Sequence, residues 1–399
     1  MNTHIPQAVR EHAAVVLAQV MHFDQPADLV ISQYCKRERR LGARDRAQLA
    51  DIVFGCVRHL LRVQAAATDA GDADALVSAW LDGDWARLDV AALDDEVAAD
   101  MPDWLLDAWP WGRGEAGRRM ADAFNQPAPL DLRVNVAKAK REVVQALLAK
   151  DGIESTPGRW SPHALRVQGK PALHRHPFMN DGTLEVQDEG SQLLGFLVGA
   201  RRSELIVDFC AGAGGKSLQL AAMMRDKGRI HAFDVSAGRL SELSLRARRA
   251  GVTSIHPMAI KDEQDSRLDR LAGKVDRVLV DAPCSGLGTL RRSPDLKWRQ
   301  DMSDIAGKTD LQGRILSAAA RLLKPGGMLI YATCSVLRDE NEAVVEAFLA
   351  SHPGFSLAQV DEVLAKQGIA LPGVTDTMRL DPLNHDTDGF FGARLVRSA

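Results

Sequence analysis

Two cysteines are the residues of this chain best placed to do chemistry. Cys284 stands in Asp281-Ala282-Pro283-Cys284-Ser285-Gly286, and Cys334 in Tyr331-Ala332-Thr333-Cys334-Ser335. Each follows a short apolar run, Val278-Leu279-Val280 or Met328-Leu329-Ile330, that reads as a buried strand. Open α/β sheets keep their chemistry at strand ends, so two thiols at two such ends could converge on one substrate. An ordinary cysteine is only a few per cent thiolate at neutral pH, so a reactive one needs surroundings that favour the thiolate. Either cysteine alone is equally well a small packing residue. The residues by themselves leave open which thiol attacks and which assists.

A second cluster lies upstream. Leu205-Ile206-Val207-Asp208-Phe209 reads as a strand, followed by Cys210-Ala211-Gly212-Ala213-Gly214-Gly215-Lys216. A glycine-rich turn after a first strand lets backbone approach a ligand and aims helix N–H groups at it. The spacing is not that of a phosphate-binding P-loop. Nor is it Gly-x-Gly-x-x-Gly, because Ser217 occupies the last required position; that argues against a nicotinamide-dependent oxidoreductase. The next strand ends at Asp234, whose carboxylate could accept both hydroxyl protons of a ribose or cap the helix that starts near Ser236. Asp262 follows a third strand end, Met258-Ala259-Ile260-Lys261, and could face an adenine; Asp265 competes for that place.

Elements that could position these groups follow from the periodicity. Strands at Leu205–Phe209, Ile230–Val235, Val278–Val280 and Met328–Tyr331 alternate with helices beginning near Lys216, Ala237, Ser303 and Glu340, the pattern of a mainly parallel sheet covered on both faces. Arg379-Leu380 and Phe390–Val396 are expected as added edge strands. Upstream, Leu132–Asn135 and Ala164–Val167 read as strands around a helix at Arg141–Lys150, a small α+β piece. From Ala8 to Ala67 the spacing is helical. Val9, Ala13, Val16, Leu17 and Val20 form one stripe, and Leu49, Ile52, Val53, Cys56, Val57 and Leu60 another. Cys35 and Cys56 are core residues in this reading. Met101–Phe124 is expected as a further helical stretch, ended by Pro127-Ala128-Pro129.

Composition narrows the class. With 399 residues, 46% hydrophobic and 26% charged, the chain should form two or three domains with substantial cores. No apolar run approaches the roughly 18–20 residues of a membrane span. The start, Met1-Asn2-Thr3-His4-Ile5-Pro6, lacks a signal-peptide pattern, so a cytoplasmic location is expected. Five scattered cysteines suit a reducing compartment. No Cys-x-x-Cys pair is present, and His174 and His176 lack companion ligands, so no metal is expected and those histidines read as surface loop residues. The net charge of −3 conceals a dipolar layout, basic over Lys36–Arg46 and acidic over Asp69–Asp103.

Taken together, the motifs resemble the Sun/RsmB-type RNA cytosine-5 methyltransferases. The similarity runs from Leu130 through Arg397 and rests on Asp208–Lys216, on Asp281–Thr289 with Arg291-Arg292-Ser293-Pro294-Asp295-Leu296-Lys297-Trp298, and on Thr333-Cys334-Ser335. Val186–Gln192 and Thr387–Phe391 also carry it. Ala213 departs from the pattern, since the family usually has proline there, which bears on loop rigidity. The resemblance implies a Rossmann-like S-adenosylmethionine-dependent methyltransferase domain at residues 181–399, a small α+β subdomain at 126–180 and an all-helical, NusB-like RNA-binding domain at 1–125. It implies S-adenosylmethionine as cofactor, held by Asp208, Cys210, Ala211, Gly212, Gly214, Gly215, Lys216, Asp234, Asp262 and Asp281, with Cys210 acting through packing.

The resemblance also assigns the thiols unequal work: Cys334 as nucleophile at cytosine carbon 6, and Cys284 assisting product release or the base. DNA cytosine-5 enzymes use the cysteine after proline, so chemistry alone permits the reverse. Asp281 is expected beside ring nitrogen 3 and the amino group of cytosine. Arg291, Arg292 and Lys297 are expected on phosphates. The implied partner is RNA, 16S ribosomal RNA ahead of transfer RNA, bound by a monomer without membrane or metal. An inactive RNA-binding assembly factor and a DNA methyltransferase are the competing readings.

Overall fold

The computed structural model describes residues 5–169 and 171–399; the Met1–His4 opening and Lys170 lie outside them. The chain groups into two compact units. One comprises residues up to Pro127 together with Ser285–Asp304; the other comprises Ala128–Cys284 and Ile305–Ala399. Sequence order alone places Ser285–Asp304 in the middle of the C-terminal half, so its membership of the first unit is a tertiary result.

The first unit is helical. Helices Gln7–Val20, Ala27–Arg37, Ala43–Arg58, Leu60–Ala66 and Ala73–Asp82 bury the two expected stripes, with Leu17, Leu49, Val53, Cys56 and Val57 fully enclosed. The stretch expected as one helix over Met101–Phe124 is two, Asp103–Asp107 and Glu115–Phe124. Pro110 cannot continue the hydrogen-bond ladder, and Gly112 turns with φ of +72°.

Within this unit the segment Pro294–Trp298 is built into the helices. Trp298 donates from its indole nitrogen to the Val57 carbonyl at 2.9 Å. Lys297 is wholly buried. Its ammonium donates to the Arg58 carbonyl at 2.8 Å, to Asn125 Oδ1 at 2.9 Å and to the Asp100 carbonyl at 2.5 Å. Burial pushes its pKa down to about 7, yet three acceptors at bonding distance call for three N–H donors, which the ammonium has and the free amine lacks. The expectation of Lys297 on a phosphate is therefore corrected: every donor is already spent inside the protein.

The second unit holds both sheets. Strands β1 (Leu130–Val134), β2 (Ser155–Pro157), β3 (Ala164–Val167) and β4 (Leu184–Val186) form an antiparallel sheet in the order β2-β3-β1-β4. The larger sheet contains β5 (Leu205–Asp208), β6 (Arg229–Asp234), β7 (Ile255–Ala259), β8 (Val275–Asp281), β9 (Leu323–Thr333), β10 (Phe355–Leu357), β11 (Thr377–Leu380) and β12 (Phe390–Arg397). Its order is β10-β12-β9-β8-β5-β6-β7, with β11 also paired to β12. The run β9-β8-β5-β6-β7 is parallel, and its central strands β5 and β8 carry the apolar runs Leu205-Ile206-Val207 and Val278-Leu279-Val280 because both faces are covered there. The architecture is the expected α/β, Rossmann-like one.

The C-terminal strand is a correction. β12 was expected at an edge, but it pairs antiparallel with β9 on one side and with β10 and β11 on the other. Phe390 to Leu395 are accordingly all buried. No described helix is long and apolar enough to cross a membrane.

Candidate active site

Both cysteines leave the sheet at its C-terminal edge. β8 and β9 run parallel with Asp281 opposite Ala332, and the Ala282 N–H donates to the Ala332 carbonyl at 2.8 Å, tying the two exits together. Cys284 and Cys334 follow, both partly exposed and unbridged, with their sulfurs 3.4 Å apart. The expected convergence of the thiols is what the fold produces.

Each exit is braced from behind. Gln312 donates to the Pro283 carbonyl at 2.9 Å and to Glu340 Oε1 at 3.1 Å. Tyr331, wholly enclosed under β9, donates its hydroxyl to the Glu340 carbonyl at 2.6 Å. Thr333 bonds Asn341, whose amide nitrogen donates to the Ser335 carbonyl at 3.0 Å. Gln312 lies on the helix Met302–Ala320, far in sequence from both thiols, whereas Glu340 and Asn341 follow Cys334 closely; no local pattern announced them. Only their burial as polar residues marks them.

Charge is arranged around the sulfurs. Lys216 Nζ bonds Asp281 Oδ2 at 2.7 Å. Burial alone would lower the Lys216 pKa, but Asp281 and the nearby Cys334 outweigh it and raise it. The ammonium is thus held between the Asp281 carboxylate and the neighbourhood of the Cys334 sulfur. Cys210 is different: burial pushes its thiol far up, with Asp208, Asp281 and Asp234 adding to the shift. That keeps it a neutral packing thiol.

The glycine loop and the acidic strand ends form one face. Asp234 Oδ2 accepts from the Gly212 N–H at 2.8 Å and Oδ1 from Ser236 N–H at 2.8 Å. The cap of the following helix is Ser236, whose hydroxyl accepts from Arg239, so the capping reading of Asp234 is set aside. Gly214 turns with φ of +83°, and a side chain there would run into Leu243. Asp208 is buried, accepts from the Ser217 hydroxyl at 2.6 Å and has its pKa pushed up to about 7 by burial. Asp262 is partly exposed beyond β7 and accepts from Gln264 N–H, while Asp265 is held locally by Arg267. Arg292 is exposed, whereas Arg291 is buried and donates to the Pro127 carbonyl within the helical unit at 3.4 Å.

A nucleoside-bearing cofactor fits this face. Left-handed glycines at 212 and 214 keep the loop free of side chains, and the Asp234 carboxylate pins the loop while retaining lone pairs for hydroxyls.

Comparison with known proteins agrees with that geometry. Residues 196–396 match the family model described as 16S rRNA methyltransferase RsmB/F, and residues 101–174 match the ferredoxin-like domain of the RsmF/B-like methyltransferases. A relative from Synechocystis sp. named probable ribosomal RNA small subunit methyltransferase B is 37% identical over 300 residues, 74% of this chain and 67% of that protein. The matched part spans 65–67% of the length of the first three such relatives. Among solved structures, PH0851 is 25% identical with a TM-score of 0.79, covering 98% of this chain and 99% of that one. NSun6 from Pyrococcus horikoshii, solved with the S-adenosylmethionine analogue SFG, shares the fold at 21% identity and a TM-score of 0.66, over 75% of this chain and 98% of its own.

Proposed function

We propose that this chain, which belongs to the RsmB/F family of 16S rRNA methyltransferases, methylates carbon 5 of a cytosine in 16S ribosomal RNA through a covalent cysteine–cytosine intermediate. S-adenosylmethionine is its cofactor, and when bound at the Asp208–Lys216 loop and Asp234 it supplies an electrophilic methyl group. The observation that carries the reading is the pair of sulfurs 3.4 Å apart beside the Lys216–Asp281 ion pair.

Cytosine carbon 5 is too weak a nucleophile to take a methyl group unaided. The Cys334 thiolate, facing the Lys216 ammonium, adds to carbon 6, and the displaced electron pair makes carbon 5 nucleophilic. Asp281 accepts from the cytosine amino group and so orients the base, while its Lys216 ammonium partner offsets the negative charge that develops on the ring. After carbon 5 is methylated, its proton passes to a solvent water or to Cys284 acting as base, the carbon 5–carbon 6 double bond re-forms and the Cys334 sulfur leaves with the bonding pair. Cys284, touching that sulfur, assists this last step. A base in duplex RNA must leave the stack to reach the thiol; the exposed Arg292 is suited to an RNA phosphate.

Bisulfite sequencing of total RNA from a strain lacking the gene and from its parent tests the proposal. One 16S cytosine that loses its methyl mark is the expected result; a lost mark in transfer RNA moves the substrate assignment, and unchanged RNA overturns the reading.

A further inference from the structure

The cofactor loop is held from outside by the small antiparallel sheet. Arg133 on β1 is buried and donates through Nη1 to the Gly215 carbonyl at 2.6 Å; the same nitrogen bonds Gln187 Oε1. Arg246, on the helix Ala237–Ala250, donates through Nη1 to the Ala213 carbonyl at 2.6 Å. Its Nη2 bonds Glu185 Oε2 on β4 at 2.8 Å. Arg249, also on that helix, donates to the other Glu185 oxygen at 2.7 Å; among the described residues its side chain makes no hydrogen bond to the loop. Burial would raise the Glu185 carboxyl, but Arg246 and Arg249 outweigh it and hold it below its ordinary value.

These bonds act on the part of the loop that most needs them. A turn through two left-handed glycines is costly to order because glycine loses more freedom than any other residue. At 213 the chain has alanine, so no ring fixes φ there. The peptide unit is planar and trans, so gripping a carbonyl sets the direction of the N–H that follows. With the Ala213 carbonyl on Arg246, the Gly214 N–H points to the Ala211 carbonyl at 2.9 Å and closes the turn. With the Gly215 carbonyl on Arg133, the next residue is Lys216, whose side chain reaches Asp281.

We propose that Arg133, Glu185 and Arg246 are positioning residues for S-adenosylmethionine: the small sheet sets the loop in its binding shape before the cofactor arrives. The inference rests on the cofactor assignment above. It makes the small sheet part of the cofactor site, beyond any contact that sheet has with RNA.

Isothermal titration of the full chain with S-adenosylmethionine, without RNA, tests it. Losing one charge-assisted bond should weaken binding about tenfold. Arg246→Met and Glu185→Gln are therefore expected to raise Kd about tenfold, and the two together little more than Arg246→Met alone, because both act through one guanidinium. Arg249→Met removes a Glu185 ion pair without touching the loop and should leave Kd within about twofold. An unchanged Kd in Arg246→Met, or an equal weakening in Arg249→Met, overturns the proposal. If circular dichroism shows Arg246→Met unfolded, the comparison of Glu185→Gln with Arg249→Met decides the matter by the same criterion. Failure of the wild-type chain to bind S-adenosylmethionine removes the cofactor assignment itself, an outcome distinct from a normal wild type with insensitive variants.

Discussion

The sulfurs of Cys284 and Cys334 lie 3.4 Å apart because β8 and β9 are parallel neighbours with Asp281 opposite Ala332. Contact between the thiols makes their roles separable by mutation. Cys334→Ala should abolish methyl transfer, because the proposed attack on carbon 6 is by its sulfur. Cys284→Ala should allow attack and trap RNA covalently on the protein, seen as a shifted band on a denaturing gel. An adduct that survives loss of Cys334 and requires Cys284 would reverse the two assignments.

The Lys216–Asp281 pair is 2.7 Å long, and the Lys216 ammonium interacts with the charge of Cys334. Removing a preorganised charge of this kind typically costs on the order of 10²-fold in rate, so Lys216→Met should lower turnover by about that factor. RNA affinity by filter binding should change less than about threefold, because the ammonium is directed inward. The raised Lys216 pKa means the charge persists past the ordinary lysine range. The loss of turnover in Lys216→Met should thus be present throughout about pH 7 to 9; full turnover of the variant in that window would remove Lys216 from the reacting charge set.

Asp208 predicts a pH dependence of stability. Its carboxyl, buried and accepting from the Ser217 hydroxyl on Oδ2, is pushed up to about 7 in the folded chain, against about 3.9 unfolded. Between those values the folded state holds a proton that the unfolded state has lost, so stability falls as pH rises through the window. The cofactor-free protein should lose a few kcal/mol, roughly 1.4 per pH unit, between about pH 4.5 and 7. Asp208→Asn should flatten that slope in denaturant melts. An identical slope in the two proteins would show that the carboxyl titrates normally.

Lys297 and Arg292 should separate cleanly, although both belong to one basic motif. Lys297→Met leaves three buried carbonyl-type acceptors without a donor and should destabilise the helical unit by roughly 3 kcal/mol or more. Arg292→Ala, at an exposed position, should cost far less stability, about 1 kcal/mol or less. It should reduce the slope of RNA affinity against salt by about one contact. A stable Lys297→Met protein with weakened RNA binding would restore the lysine to the phosphate contacts.

Much of this protein is determined by local sequence. The strand runs before Asp208, Asp234, Asp281 and Thr333 are short and branched, the glycine turn at Gly212–Gly215 tolerates no other backbone, and the helical stripes of the first unit repeat at 3.6 residues. Those signals are short-range, so they survive without knowledge of the fold. The parallel order of β8 and β9, which alone brings Cys284 to Cys334, is a long-range pairing; the motifs on either side implied it and the sheet realised it.

Other features had no local signal at all. Lys297 has the same appearance in sequence as Arg292, and only the packing of its segment among Arg58, Asp100 and Asn125 turns a phosphate-like cation into a buried tie. β12 reads as an edge strand because pairing partners on both sides are decided by β9, β10 and β11 elsewhere in the chain. Arg133, Glu185 and Arg246 are ordinary charged residues until the small sheet is laid beside the glycine loop. Types and spacing singled out the groups proposed to do the chemistry; tertiary structure decided which others hold them, because a hydrogen bond between residues far apart in sequence leaves no periodicity to read.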